Sequence, residues 1–427
     1  MKLALIYIFI TVTWTKKIVD LPDLDFKIYS DQYSGYLNVS KTHRLFYWFF
    51  ESQNTPSADP LVFWFNGGPM CSSLLGLFME HGPFLLAPEN STFRRNEHTW
   101  NRISNMVYIE SPAGVGYSYS TDGKTTTNDD LTADENYVAI KEFLKEFPQF
   151  RDHDIFLTGE SYAGTYIPML ADRIIDGQKD YRINLKGIAI GNGCLSESII
   201  QKTSWLYGYS HGLVDESTYQ PEIERCCDGN LDTCEFDSKK KRCFLRGYAP
   251  YYEFNKAIDT YDISRLCYPP DVTNRSRQHT PCDEFFEPIG ITYLNSVNVR
   301  KILGIPENVQ TWKLCVSPKD KPYTKNRPEK KWYVQKIVNN GIRVLIYYGD
   351  QDIACDFLMG QRFAAGLGFK KLASKTPWYF KNVVAGYKTI YEGLTFATIR
   401  GASHSPPTTH PKEMFYFIQQ FFNDKDF

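Results

Sequence analysis

Residues 158–164 read TGESYAG. Ser161 stands between Glu160 and Tyr162, with Gly159 two places before it and Gly164 three places after. The short apolar run DIFL precedes this stretch. YIPMLADRII, apolar at roughly helical spacing, follows it. A serine in a glycine-framed turn from strand to helix is the setting of a nucleophile elbow. Such a turn belongs to a sheet whose strands feed directly into helices.

The rest of the chain supplies that sheet. Residues 26–53 pattern as an aromatic-rich hairpin. LVFWF is a short apolar strand ending in NGGPMCSS, and NMVYI leads into the loop ESPAGVGYSYS. TADENYVAIKEFLKEF (132–147) places Tyr137, Ile140, Phe143, Leu144 and Phe147 on one helical face. LKGIAIGNG is a further strand. Strand–helix alternation stops after Gly193 and resumes with VRKILGI, the helix KWYVQKIVNNG, the strand RVLIYYGD, another hairpin, the strand LTFATIRGASH and the helix PKEMFYFIQQFF. Alternation of this kind implies an α/β fold with a mainly parallel sheet covered on both faces. The expected organisation is a signal segment at 1–15, a first core part at 16–195, an insertion at 196–299 and a second core part at 300–427.

Lys2 is followed by LALIYIFITV, which is too short to span a bilayer and patterns as an export signal. An oxidising destination suits the ten cysteines, six of which fall in the insertion. Their irregular spacing, with no histidine inside CCDGNLDTCEFDSKKKRC, fits disulfides and not a zinc site. No metal or cofactor is expected. Sequons occur at Asn38, Asn90 and Asn274. A net charge of −1 gives no reason to expect nucleic acid or an anionic membrane as a partner.

A serine nucleophile needs a base, and the base needs an acid to orient it. In a strand–helix frame these follow the serine in the order acid, then histidine, on late loops. GDQDIAC after RVLIYY offers Asp350 and Asp352. GASHSPP offers His404, the one histidine directly after a late strand. Glu160 is the odd neighbour, since a charged carboxylate would oppose a developing oxyanion. A protonated Glu160, kept so by burial beside a second carboxyl such as Glu80, could instead donate to a substrate carboxylate. The plainer alternative is an exposed glutamate favoured at a helix start.

GESYAG, WFNGGPMCSS, MEHGPF, ESPAGVGYSYS, GDQDIAC and GASHSPP, with QYSGYL, LFYWFFES and the RCC pair, together resemble the serine carboxypeptidase family, over about residues 21–422. The resemblance implies an α/β-hydrolase fold with an inserted disulfide-rich cap. It also implies removal of C-terminal residues from peptides at acidic pH through an acyl-enzyme. By motif it assigns Ser161 as nucleophile, Asp352 as the acid and His404 as the base. Gly68 and Tyr162 would supply the oxyanion hole. Asn66, Gly67, Glu80 and Glu160 would bind the substrate carboxylate. It implies the disulfides Cys71–Cys315, Cys226–Cys243, Cys227–Cys234 and Cys267–Cys282, leaving Cys194 and Cys355 unpaired. The implied partners are peptides with a free C-terminus, a homodimer is allowed, and the destination is the lysosome or the exterior.

The chain departs from the family pattern in three places. Met70 stands where relatives have glycine. Ser403-His404-Ser405-Pro406-Pro407 replaces the usual Gly-His-Met-Val-Pro. Only 14 residues separate Cys267 from Cys282, which bears on maturation by cleavage, for which KKKR at 239–242 is a basic site. The first two departures motivate one alternative, a non-catalytic protective homologue; an acyltransferase or esterase is a further option within the same fold.

Overall fold

The computed structural model describes residues 15–87, 92–234, 258–266, 288–317 and 319–427. Residues 1–14 of the expected signal, the sequons at Asn90 and Asn274, and Cys243, Cys267 and Cys282 lie outside these. The strands are β1 (Lys16–Ile18), β2 (Gln32–Asn38), β3 (His43–Phe50), β4 (Leu61–Phe65), β5 (Phe84–Ala87), β6 (Thr92–Arg95), β7 (Asn105–Ile109), β8 (Tyr119–Ser120), β9 (Thr127–Asn128), β10 (Ile155–Glu160), β11 (Leu185–Gly191), β12 (Tyr323–Thr324), β13 (Arg343–Gly349), β14 (Lys371–Phe380), β15 (Val383–Tyr391) and β16 (Leu394–Ile399). The longer helices are α1 (Asp129–Glu146), α2 (Ala163–Gly177), α3 (Glu197–Ser210), α4 (Glu216–Cys227), α5 (Pro288–Asn295), α6 (Val297–Ile302), α7 (Lys331–Asn339), α8 (Phe357–Gly366) and α9 (Pro411–Phe422).

A twelve-stranded sheet runs β1-β2-β3-β7-β4-β10-β11-β13-β16-β15-β14, with β8 beside β3. Its middle, from β7 to β16, is parallel. Both wings are antiparallel, because β2–β3 and β14–β15–β16 are joined by turns too short for a crossover. The sheet as a whole is therefore mixed around a parallel centre.

The central strands show why the centre is buried. All five residues of β4 are inaccessible. Alternate side chains serve opposite faces: Leu61, Phe63 and Phe65 join one apolar cluster with α1, α2, α7 and α8, and Val62 and Trp64 join another with α9. The first helix begins at Asp129, three residues before its expected start, because the Asn128 side chain caps it by accepting from Leu131 N and two aspartates fill its first turn. Between β11 and β13 lie α3 to α7. There Trp205, Val214, Ile223, Cys226, Cys227, Leu231 and Cys234 form a small core of their own.

Two disulfides follow the expected pairing, Cys71–Cys315 and Cys227–Cys234. Cys226 is also disulfide-bonded, and its expected partner Cys243 lies outside the described residues. The expectation that Cys194 and Cys355 stay unpaired is corrected: they form a disulfide, with Cα atoms 5.3 Å apart. The reason is topological. Cys194 follows β11, Cys355 follows β13, and these strands are parallel neighbours, so their exit loops leave side by side. Among the described residues no helix is long and apolar enough to cross a membrane.

Candidate active site

Three strand ends converge on Ser161. The serine turns between β10 and α2 with φ 61°, a left-handed conformation that costs a non-glycine residue about 1 kcal/mol or more. Its neighbours hold it there. Its N–H donates to Gly191 O at 3.0 Å, and its carbonyl accepts from Gly164 N at 2.9 Å and Cys194 N at 3.0 Å. The glycine before it is sterically required, since a Cβ on Gly159 would lie 2.2 Å from Phe65 O.

His404, on the loop after β16, is buried at 3% exposure, and Asp352, on the loop after β13, at 0%. His404 Nδ1 lies 2.7 Å from Asp352 Oδ2. A carboxylate can only accept, so Nδ1 carries the proton and Nε2 is left as the basic nitrogen. Asp352 is itself fixed by Asn192 Nδ2 at 2.9 Å, Ala354 N at 2.9 Å and Cys355 N at 3.2 Å. Asp350, the other acid of that loop, serves elsewhere: its Oδ1 accepts from Gly401 N at 2.7 Å and from Gln351 Nε2 at 2.8 Å. The Ser161 hydroxyl makes no hydrogen bond with any of the described residues, and such contacts often tighten only when substrate is bound.

Beside Ser161 lies the loop after β4. A Cβ on Gly67 would come within 2.3 Å of Tyr162 N, so only glycine lets this loop rest against the elbow. Met70 takes φ 77°, the strained conformation that its replacement of glycine suggested, and is fully buried. The Cys71–Cys315 bond anchors the same loop.

Glu80 and Glu160 are 1% and 3% exposed. This excludes the exposed helix-start alternative for Glu160. Asn66 Nδ2 bridges them, donating to Glu80 Oε1 at 3.2 Å and Glu160 Oε1 at 3.0 Å. The amide cannot flip, because its Oδ1 accepts from Trp64 Nε1 at 2.7 Å and Gly76 N at 2.9 Å. Glu80 comes from a one-turn π-helix, Gly76–His81, a local irregularity common at functional sites. Burial pushes the Glu80 carboxyl up to about 7. Burial, and then the Glu80 charge, push Glu160 well above the ordinary range. Oε2 of each acid is buried and meets no separate donor among the described residues, and the two carboxyls are close enough to hydrogen-bond each other when one is protonated.

Sequence reasoning treated Ser405 only as a lost methionine. Its hydroxyl in fact donates to Glu160 Oε1 at 3.1 Å. It also passed over Asn192, although GNG at the end of β11 placed an amide at a strand terminus of the site. Among the described residues, no cluster of His, Cys, Asp and Glu could hold a metal ion.

A strand-to-helix serine, an aspartate–histidine pair on later loops and a mixed sheet with a parallel centre define an α/β-hydrolase-fold serine hydrolase. A family model described as serine carboxypeptidase matches residues 22–424. The chain is 36% identical to a Caenorhabditis elegans serine carboxypeptidase, ctsa-4.1, covering 97% of this chain and 94% of the relative. It is also 36% identical to the lysosomal protective protein of Mus musculus, covering 93% and 91%. The crystal structure of the prohormone-processing carboxypeptidase KEX1 from Saccharomyces cerevisiae superposes with TM-score 0.79 over 96% of this chain and 95% of that one, at 21% identity, which attests the fold. The chain belongs to the serine carboxypeptidase family and is a hydrolase of serine type.

Proposed function

We propose that the protein removes C-terminal residues from peptides at acidic pH, with Ser161 as nucleophile, His404 as base and Asp352 orienting it. Ser161 Oγ attacks the last peptide carbonyl while His404 Nε2 takes its proton. The C–N bond then breaks, and the amine leaves with that proton. Water repeats the sequence on the acyl-enzyme and releases the shortened peptide. Gly68 and Tyr162 N–H groups hold the oxyanion. The substrate carboxylate docks on the Gly67 N–H, Asn66 and the Glu80–Glu160 pair.

The observation that carries this reading is the Asn66-bridged pair of buried acids. Protonated, they can donate to a carboxylate. Ionised, they repel it. A C-terminal carboxyl ionises near about 3.5, and burial together with their mutual repulsion holds the Glu80–Glu160 pair protonated to a pH well above that. Docking is strongest between the two, which is the acidic range. Ser196, Glu197, Ile200 and Ser204, from the described part of the expected insertion, line the cavity beside Ser161, which supports a cap role for it. The disulfides support routing through the secretory pathway, to the lysosome or the exterior.

The test is a matched pair of peptides, one with a free and one with an amidated C-terminus, followed from about pH 4 to about pH 8, a range spanning ordinary and raised carboxyl pKa values. The free peptide should be cleaved far faster at the acid end, with the advantage shrinking through about pH 7. Equal rates at every pH would overturn the carboxylate-docking reading.

A further inference from the structure

A cavity of about 350 Å³ opens from Ser161. It shares Gly68 and Tyr162 with the reaction centre, yet Asn66, Glu80 and Glu160 do not line it. It is therefore distinct from the proposed carboxylate site and is available to the acyl portion of a substrate. Its lining is charged: Lys325, Arg327 and Lys330 from one segment, and Glu197 from α3.

That segment is built in place by one acid. Asp129, at the start of α1, accepts from Tyr162 OH at 2.7 Å and Tyr323 OH at 2.8 Å through Oδ1, and from the backbone N–H groups of Asn326 and Arg327 at 2.8 Å through Oδ2. The basic segment is thereby tied to the residue that follows the nucleophile. Pairing β12 with β9 adds a second tie.

The charges then sort themselves. Arg327 is engaged by Asp130 at 2.9 Å. Lys330 is buried, donates to Arg327 O at 2.5 Å and feels the attraction of Glu197. Lys325 is exposed and has no ion-pair partner among the described residues. Its ammonium lies 4.9 Å from the centroid of the Tyr162 ring. Lys325 and Glu197 are the two lining charges without an ion pair among the described residues, and of the two it is Lys325 that rests against the ring of the residue following the serine.

We propose that this cavity receives the side chain of the penultimate substrate residue and favours an acidic one, with Lys325 as the selecting charge. The inference rests on the carboxypeptidase reading of Ser161 and names the substrate class that reading left open.

The test uses the full chain and four N-blocked dipeptides that share a C-terminal leucine and carry Glu, Gln, Leu or Lys before it. They are compared by kcat/KM at about pH 6, where a glutamate side chain is ionised. Glu should exceed Gln by about five-fold, the size of one favourable ion pair, and the ratio should fall with added salt. Lys325→Met should bring the ratio to about one, and Lys325→Glu should turn the order toward Lys. A Glu/Gln ratio unchanged in Lys325→Met, or a wild-type preference for Lys, would overturn the inference. Calorimetric binding of the same peptides to Ser161→Ala separates this outcome from failure of the underlying reading. Glu bound more tightly than Gln, with no turnover of any peptide by the wild type, would remove the carboxypeptidase reading and still support the cavity's preference. Equal affinities would sink the preference.

Discussion

Ser405 shows how much one hydroxyl can matter at this site. It donates to Glu160 Oε1, which already accepts from Asn66. Donors to a carboxylate stabilise its ionised form, so Ser405 opposes the burial that keeps Glu160 protonated. Ser405→Ala removes that opposition. The pair should then hold its proton to higher pH, and the preference for free over amidated C-termini should extend upward by as much as about one pH unit, the worth of a hydrogen bond of about 1 kcal/mol. The groups facing the pair are His404, Asp352, Tyr108 and Tyr347, none of which the substitution alters. A kcat/KM profile of the two peptides checks this, and a profile shifted downward would contradict it. The sequence exposed Ser161, His404, Glu80 and Glu160, because each sits in a distinctive local frame. It left Asp350 and Asp352 equivalent until family resemblance chose between them. Their difference is made by distant partners: Asn192 from β11 for one, Gly401 after β16 for the other.

At the scale of elements, the strands and helices of the core were legible because their apolar periods are strong. LVFWF, RVLIYYG and PKEMFYFIQQFF lie where their patterns put them. What the pattern could not give was strand order. Both hairpins were legible and form the antiparallel wings, but their places at the edges of the sheet and the adjacency of β11 and β13 depend on tertiary pairing, and the Cys194–Cys355 bond was hidden with them. That bond ties the loop that donates into Ser161's turn, through Cys194 N, to the loop that carries Asp352. It closes a sequence separation of 161 residues, so its loss should release considerable chain entropy in the unfolded state. Replacing both cysteines by serine should cost about 2–4 kcal/mol of stability. It should also slow labelling of Ser161 by a serine-directed phosphonate, because Cys355 N would no longer be held against Asp352. Thermal unfolding and labelling rates measure the two effects separately. A variant with unchanged melting and unchanged labelling would mean that the two loops are held by their hydrogen bonds alone.

For the molecule as a whole, buried acids set the dependence of stability on pH. Glu80, Glu110, Glu160 and Asp356 are all wholly enclosed. Burial lifts Glu110 and Asp356 to about 7 despite good donors. Glu110 accepts from Ser72 Oγ, from Tyr117 N at 2.6 Å and from Trp312 Nε1 at 2.7 Å. Asp356 caps α8 through Met359 N at 2.9 Å and accepts from Thr203 Oγ1 at 2.9 Å. A carboxyl whose pKa is higher in the folded than in the unfolded chain binds more protons when folded. Stability from it is complete below the unfolded value and declines as pH rises through the folded one. Between about pH 5 and about pH 7 Glu110 and Asp356 each remove roughly 3 kcal/mol, at about 1.4 kcal/mol per pH unit. His81 acts in the opposite sense. It is buried and held neutral, its pKa well below the ordinary value, so folding becomes easier as the unfolded histidine loses its proton near about 6.5. One histidine gains at most roughly 2 kcal/mol over the same window, and the acids outweigh it. The protein should therefore be most stable near about pH 5 and lose several kcal/mol by about pH 8. Urea unfolding at the two pH values measures the loss. Glu110→Gln and Asp356→Asn should each flatten the slope, since a neutral amide has no proton to lose. Stability that rises across this window would show that the acids are ionised inside the fold, and the uncharged pair on which carboxylate docking depends would lose its physical basis.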